Sequence, residues 1–206
     1  MFSKVLIANR GAIATRVIRT LRQMDISSVA IYHTADRGSL HVKQADEAFS
    51  LGDASVADTY LNIERIIEIA TACGAQAIHP GYGFLSENTE FVTACEEAGI
   101  VFIGPTAQHI HSFGLKHEAR SLAEHAKVPL VPGSPLLDSL EDAQSWAQQI
   151  GYPLMLKSTA GGGGIGMSIC HSARDLDEAW DSVRRMGASY FSNNDVFLEK
   201  YIEDAR

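Results

Sequence analysis

Tyr152-Pro-Leu-Met-Leu-Lys157-Ser-Thr-Ala-Gly161-Gly-Gly-Gly164-Ile-Gly166-Met167 decides how the second half of this chain is built. A short apolar run with a proline only near its start reads as a buried strand, and it delivers one lysine. After the glycines, apolar alternation resumes through Met167 and Ile169. The pattern predicts strand, glycine loop, strand: a hairpin whose tip can move. Such a loop can wrap backbone N–H groups around phosphate oxygens, because glycine permits positive φ and places no Cβ in the way. Lys157 adds a point charge for the same anion, and a half-buried lysine needs an anionic partner. Gly161-x-Gly163-x-x-Gly166 matches the dinucleotide spacing, but that pattern must open a helix after a strand. Here the helical period starts only at about Asp175. A Walker A loop fails as well, since Met167 stands where its lysine belongs. A flexible surface hairpin is the bland alternative, and Lys157 tips the balance toward an anion site.

At 206 residues the chain can hold one large or two small domains and bury a sizeable core. Its net charge of −8 argues against bulk attraction to nucleic acid or anionic membrane. An anionic ligand must therefore be held by locally placed cations or amides. Cys73, Cys95 and Cys170 lack CxxC spacing, so neither a zinc site nor a disulfide framework is expected. They read as buried or half-buried side chains in a reducing compartment. No apolar stretch approaches membrane-spanning length and no signal peptide is evident, so the expected location is cytoplasmic.

Working outward to the N-terminus, Lys4–Ala8 is a strand and Asn9-Arg10-Gly11 turns it into a helix with Ile13, Val17, Leu21 and Met24 on one face. Ser28–Tyr32 follows as a strand, a βαβ start that points to a parallel sheet with a right-handed crossover. Arg10 sits at the carboxyl end of the first strand, where open α/β sheets bind ligands. A surface residue paired with a nearby acid is still the favoured reading for it. Further strands are expected at Glu47–Leu51, Ala75–Ile78 and Val101–Ile103, with helices at Asn62–Cys73 and Phe91–Ala98. His79-Pro-Gly-Tyr-Gly-Phe-Leu-Ser-Glu-Asn88 is too rich in glycine, proline and aromatic groups for a plain connector. This alternation predicts an α/β fold with a doubly wound parallel sheet over residues 1 to 105.

Two helices are expected at Thr106–Phe113 and Lys116–His125. His109, His111, His117 and His125 lack any framing metal motif and read as solvated helix-face groups. Val128–Pro135 is a proline-rich connector and the strongest boundary signal in the composition. Ser139-x-x-Asp142 starts a helix with Leu140, Ala143, Ala147 and Ile150 on its core face. Ser172-x-x-Asp175 opens another, with Leu176, Ala179, Trp180 and Val183 inward. Trp146 and Trp180 read as packing residues. A polar loop is expected at Ser189–Asp195, then a strand over Val196–Ile202, after which the chain looks cut off.

Several long motifs coincide with one family. Ile7-Ala-Asn-Arg-Gly11, Ala35-Asp-Arg37, Ala45-Asp-Glu47, Tyr60-Leu-Asn62, the His79–Asn88 block and Phe102-Ile-Gly-Pro105 resemble the N-terminal domain of biotin carboxylases. Pro132-Gly-Ser134, Gly151-Tyr-Pro153, the glycine loop and Leu198-Glu-Lys-Tyr201 continue that resemblance into the ATP-grasp part. Phe113-Gly-Leu-Lys-His-Glu-Ala119 and the Lys157–Met167 stretch look most like urea carboxylase. Acyl-CoA and pyruvate carboxylase relatives usually carry Asp where this chain has Leu115, and Arg where it has Ile165.

The resemblance implies a pre-ATP-grasp domain over residues 1–112, then an incomplete ATP-grasp domain over 113–206 that includes the glycine-rich lid. It implies an ATP-dependent ligase that uses MgATP to turn bicarbonate into carboxyphosphate and carboxylates biotin on a separate carrier domain. Carried over by position, Lys116 and Lys157 would hold ATP phosphates, with Gly163 and Gly164 closing over them. Glu199, Lys200, Tyr201 and Ile202 would hold the adenine, and Tyr82 and Gly83 would line the biotin and phosphate end. Catalytic groups and magnesium ligands are expected on a C-terminal lobe beyond Arg206, so the chain alone is expected to be inactive. The expected partners are ATP, bicarbonate, the biotinylated carrier and, in the intact enzyme, a second copy forming a homodimer; neither nucleic acid nor membrane is among them. Competing readings are a biotin carboxylase subunit of an acyl-CoA or pyruvate carboxylase, a silent binding or assembly module that keeps the fold, and an ATP-grasp ligase without biotin.

Overall fold

The computed structural model describes residues 1–159, 164–191 and 193–204. The chain divides into two compact units, Met1–His111 and Ser112–Arg206. The first is built on a five-stranded parallel sheet of β1 (Lys4–Ile7), β2 (Ser27–His33), β3 (Glu47–Gly52), β4 (Ala77–His79) and β5 (Val101–Phe102). Strand order is β3-β2-β1-β4-β5, so the chain runs outward one way from β1, then returns to its other side.

Side-chain alternation in β1 sets the two layers. Val5 and Ile7 point to the face covered by α1 (Gly11–Gln23), where they meet Ala14, Val17, Ile18 and Leu21. Leu6, with Ala8 just beyond the strand, points the other way and packs with Val29, Ile31, Ile66, Ile69, Phe91 and Val92. The last four belong to α3 (Ile63–Ala72) and α4 (Thr89–Glu97), and Val29 and Ile31 to β2. Both helices begin at an asparagine cap: Arg65 N donates to Asn62 Oδ1 at 2.9 Å and Phe91 N to Asn88 Oδ1 at 2.7 Å. The short α2 (Leu40–Gln44) follows a 3-10 turn at Thr34–Asp36, and α5 (Ala107–Gly114) comes after β5. Met24, expected on the apolar face of α1, is instead its exposed C-cap residue. The buried stripe is 14, 17, 18 and 21, and the helix ends before another inward position recurs.

The second unit holds α6 (Lys116–His125), α7 (Leu140–Ile150), β6 (Leu154–Ser158), β7 (Met167–Cys170), α8 (Ala173–Phe191) and β8 (Val196–Lys200). Its sheet is antiparallel in the order β7-β6-β8, so the strands either side of the glycine loop do form a hairpin. Leu154, Leu156, Val196 and Leu198 face α7 and α8 and pack with Ala143, Ala147, Leu176, Trp180 and Val183. Val128–Pro135 lies inside this unit rather than between the two. Ser134 N donates to Leu198 O at 2.9 Å and Lys200 N to Pro132 O at 2.8 Å, so the connector runs along β8. The loop expected at Ser189–Asp195 begins later, because α8 continues to Phe191. No helix among the described residues is long and apolar enough to cross a membrane.

Candidate functional site

In the first unit the site-forming place is the end of β1 and β4, where the strand order reverses; open parallel sheets bind ligands there. Asn9 follows β1, is buried, and spans the crevice by donating from Nδ2 to Pro80 O and Tyr82 O, both at 2.8 Å. That bridge explains Gly81: a Cβ at this position would lie 2.7 Å from Asn9 Nδ2, and its φ is +66°. The loop thereby holds Tyr82 out into solvent, 67% exposed, beside Gly83. Arg10 takes the bland role: it forms an ion pair with Asp36, with Nε 2.6 Å from Oδ2. Tyr60 donates its hydroxyl to the same oxygen at 2.8 Å, and its ring stacks on Phe84 with centroids 4.9 Å apart.

The second unit places its charged groups by strand register. Lys157 in β6 lies opposite Phe197, and Met155 opposite Glu199. Residues two apart share a sheet face, so Lys157 and Glu199 are diagonal neighbours on the face opposite the Leu154–Leu156 core. Long side chains cover that distance. The Lys157 ammonium is ion-paired to Glu199 Oε2, so the anionic partner demanded by its half-burial is a carboxylate of the same sheet. The other Glu199 oxygen accepts from Arg120 Nη1 at 2.6 Å.

Arg120 lies one helical turn after Lys116 on α6 and therefore on the same face. Lys116 Nζ reaches Thr159 O at 3.4 Å, and His117 Nδ1 is 2.7 Å from Thr159 Oγ1. Thr159 is fully buried at the end of β6. Burial lowers the pKa of Lys116; the positive charge of Lys157 adds to the lowering and Glu199 opposes it. An ammonium whose charge is disfavoured by burial and by a neighbouring ammonium, beside the hairpin turn, is an arrangement that an added anion would relieve.

The remaining expected site residues fall as follows. Gly164 has a φ of +87° and is exposed, whereas Gly163 lies outside the described residues. The Lys200 amide is taken by Pro132 O, and its ammonium donates to Gly151 O and Tyr152 O at 2.9 and 2.8 Å. Of the Lys200 backbone only the carbonyl can meet a ligand. Tyr201 N donates to Pro153 O at 3.1 Å, and Ile202 is exposed. Arg120 and Thr159 were not singled out from the sequence. The i, i+4 spacing from Lys116 was the available signal for Arg120; Thr159 gave none. Among the described residues no group of three His, Cys, Asp or Glu could hold a metal ion.

The chain resembles known proteins along its whole length. Residues 1–110 match the family model described as biotin carboxylase, N-terminal domain. Residues 116–206 match the carbamoyl-phosphate synthase L chain, ATP binding domain. The chain is 50% identical to a urea amidolyase of Lachancea kluyveri over 205 residues, spanning all of this chain and 11% of that protein. It is 49% identical to a biotin carboxylase of Halalkalibacterium halodurans, spanning all of this chain and 46% of that one. Among solved structures, a Campylobacter jejuni biotin carboxylase in complex with β,γ-ATP superposes with a TM-score of 0.94 at 40% identity, covering 99% of this chain and 46% of that one. The biotin carboxylase domain of the Hydrogenobacter thermophilus 2-oxoglutarate carboxylase, a dimer solved with MgADP, ADP and bicarbonate, gives 0.90 at 48% identity, covering 98% and 45%. The chain thus spans less than half the length of these relatives. With a parallel sheet opened by the Asn9 bridge and a lysine-bearing antiparallel hairpin after it, this chain belongs to the biotin carboxylase family.

Proposed function

We propose that this chain is the N-terminal portion of a biotin-dependent carboxylase that uses MgATP and bicarbonate to carboxylate biotin. In this reading residues 1–112 form its N-terminal domain and residues 113–206 begin its ATP-grasp domain. The observation that carries the reading is the meeting of Lys116, Lys157 and Glu199 at the mouth of the glycine hairpin. Lys116 and Lys157 hold the phosphate oxygens, and Gly163 and Gly164 cover them. The Glu199 side chain, with backbone groups of Lys200 and Ile202, meets the adenine, and Tyr201 lies between the two in sequence. Tyr82 and Gly83 belong to the biotin and phosphate end. Magnesium, when bound, neutralises phosphate charge. Biotin is presented by a carrier domain, and a second copy of the enzyme completes a homodimer. All three cysteines are free thiols, in keeping with a reducing compartment such as the cytoplasm.

Urea is the favoured final acceptor. Support comes from Leu115 and Ile165, since the overall identities of 50% and 49% to urea amidolyase and biotin carboxylase do not separate the acceptors. Radiolabelled bicarbonate fixed by the protein that carries this chain, offered urea, an acyl-CoA or pyruvate, decides among them. The nucleotide site is tested by ligand-observed NMR titration, which reads weak affinities. Lys157→Met and Lys116→Met should each weaken ATP about ten- to a hundredfold, the value of one charge-assisted contact, and leave adenosine nearly unchanged. Equal loss for both ligands, or ATP bound no better than adenosine by the unsubstituted chain, removes the phosphate role.

A further inference from the structure

Glu199 is held by two cations on separate oxygens, and only one of them has been given work. Lys157 sits on Oε2 and Arg120 on Oε1. All three side chains are largely buried: 18% of Arg120 is exposed, 21% of Lys157 and 15% of Glu199. Arg120 is also anchored from outside the pair, because Nη2 donates to Val131 O at 2.9 Å. Gly133 makes room for this seat. A Cβ there would lie 2.5 Å from Arg120 Nη2, 2.8 Å from Cζ and 3.0 Å from the Leu198 carbonyl oxygen. The guanidinium is therefore fixed between the Val128–Pro135 connector and β8, whether or not Lys157 stays in place.

A lysine that is to hold a phosphate must first leave its carboxylate. Where the carboxylate is largely buried, stranding it without a counter-ion is costly. We infer that Arg120 is a positioning residue that acts through Glu199: it remains as the counter-ion of Glu199 while Lys157 transfers to the phosphate oxygens of a nucleoside triphosphate. The inference rests on the phosphate role proposed for Lys157. The two-oxygen arrangement suits the exchange, since the Oε2 contact can break without disturbing Oε1. Lys116 lies one turn away on the same helix and feels both charges, so it is the group left to answer Glu199 if Arg120 is lost. In that case both lysines are drawn to the carboxylate and away from the ligand.

The test is a double-substitution cycle on the chain, read by ligand-observed NMR titration with ATP and with adenosine. Arg120→Met should weaken ATP about tenfold and leave adenosine unchanged, and Arg120→Lys should recover most of the loss because the charge is kept. In a Glu199→Gln background, Arg120→Met should have little further effect on ATP, because no carboxylate then holds Lys157 back. Circular dichroism and thermal melts establish that each variant is folded, and the cycle is closed at a temperature where all four are. An equal loss of ATP affinity with and without the Glu199 carboxylate would overturn the inference while leaving Lys157 in its phosphate role. If the unsubstituted chain binds ATP no better than adenosine, both the inference and the phosphate role fall together.

Discussion

Asp36 shows how much one side chain can organise. It is buried after β2, accepts from Arg10 and from the Tyr60 hydroxyl, and so ties the end of β1 to the segment before α3. The Arg10 hydrogen bond holds its carboxyl below the usual aspartate range against the opposing effect of burial, and the Tyr60 hydroxyl helps. Tyr60 is pushed up to about 12, by burial first. A carboxyl whose folded pKa is depressed contributes stability above its unfolded pKa and loses it as pH falls through the folded value. Asp36→Asn is therefore expected to destabilise the first unit by about 1–3 kcal/mol at neutral pH. The difference from the unsubstituted chain should shrink as pH falls below the usual aspartate range and through the depressed folded value, a trend that urea melts across pH will show. A difference that stays constant into acid would remove the charge from the explanation. The sequence showed that Arg10 would find an acid but not which one. Asp36 lies in a separate loop, and only the pairing of β1 with β2 brings the two together.

At the scale of elements, α6 is held differently from α1 and α3, which each bury an apolar stripe. It buries no residue, and its contacts with the sheet are polar: Lys116 and His117 to Thr159, Arg120 to Glu199. Helices secured by apolar burial open with the global transition, whereas polar attachment permits local opening. Amide exchange in α6 should therefore be faster than in α1 or α3, and Glu199→Gln should speed it further. Protection in α6 equal to that in α1 would show that this attachment is stronger than its polarity suggests. Helix starts were legible in the sequence because caps are local: Ser139 accepts from Asp142 N at 3.1 Å and Ser172 from Asp175 N at 3.3 Å. The end of α8 was not. Ser189 and Tyr190 look like loop residues by composition, but the helix carries on past the core contact of Met186. The hairpin strands were legible from alternation around Lys157. The lysine's partner was not, because the β6–β8 register depends on a strand far along the chain.

For the molecule as a whole, the parallel sheet of the first unit depends on β1 more than on any other strand. It is bordered by β2 on one side and β4 on the other, and its residues feed both layers. Leu6 is fully buried in the α3–α4 layer, so Leu6→Ala should cost about 2–5 kcal/mol through lost burial and the cavity left behind. Truncating exposed Leu40 should cost far less, and thermal melts of the two variants side by side check the contrast. The layering was legible because Val5-Leu-Ile7 is apolar throughout, as a strand covered on both faces must be. The lateral order was not, since nothing local says which neighbour lies left or right.

The early position of β1 has a consequence for biosynthesis. During synthesis the strand at Lys4–Ile7 leaves the ribosome before the other strands of its sheet; Ser27–His33 then pairs with it, and Glu47–Gly52 with Ser27–His33. The opposite flank of β1 stays open until Ala77–His79 has cleared the exit tunnel. During that interval the unpaired N–H and C=O groups along one edge of β1, flanked by the apolar side chains of Val5, Leu6 and Ile7, await their partner, an interval in which the nascent chain is exposed to mispairing.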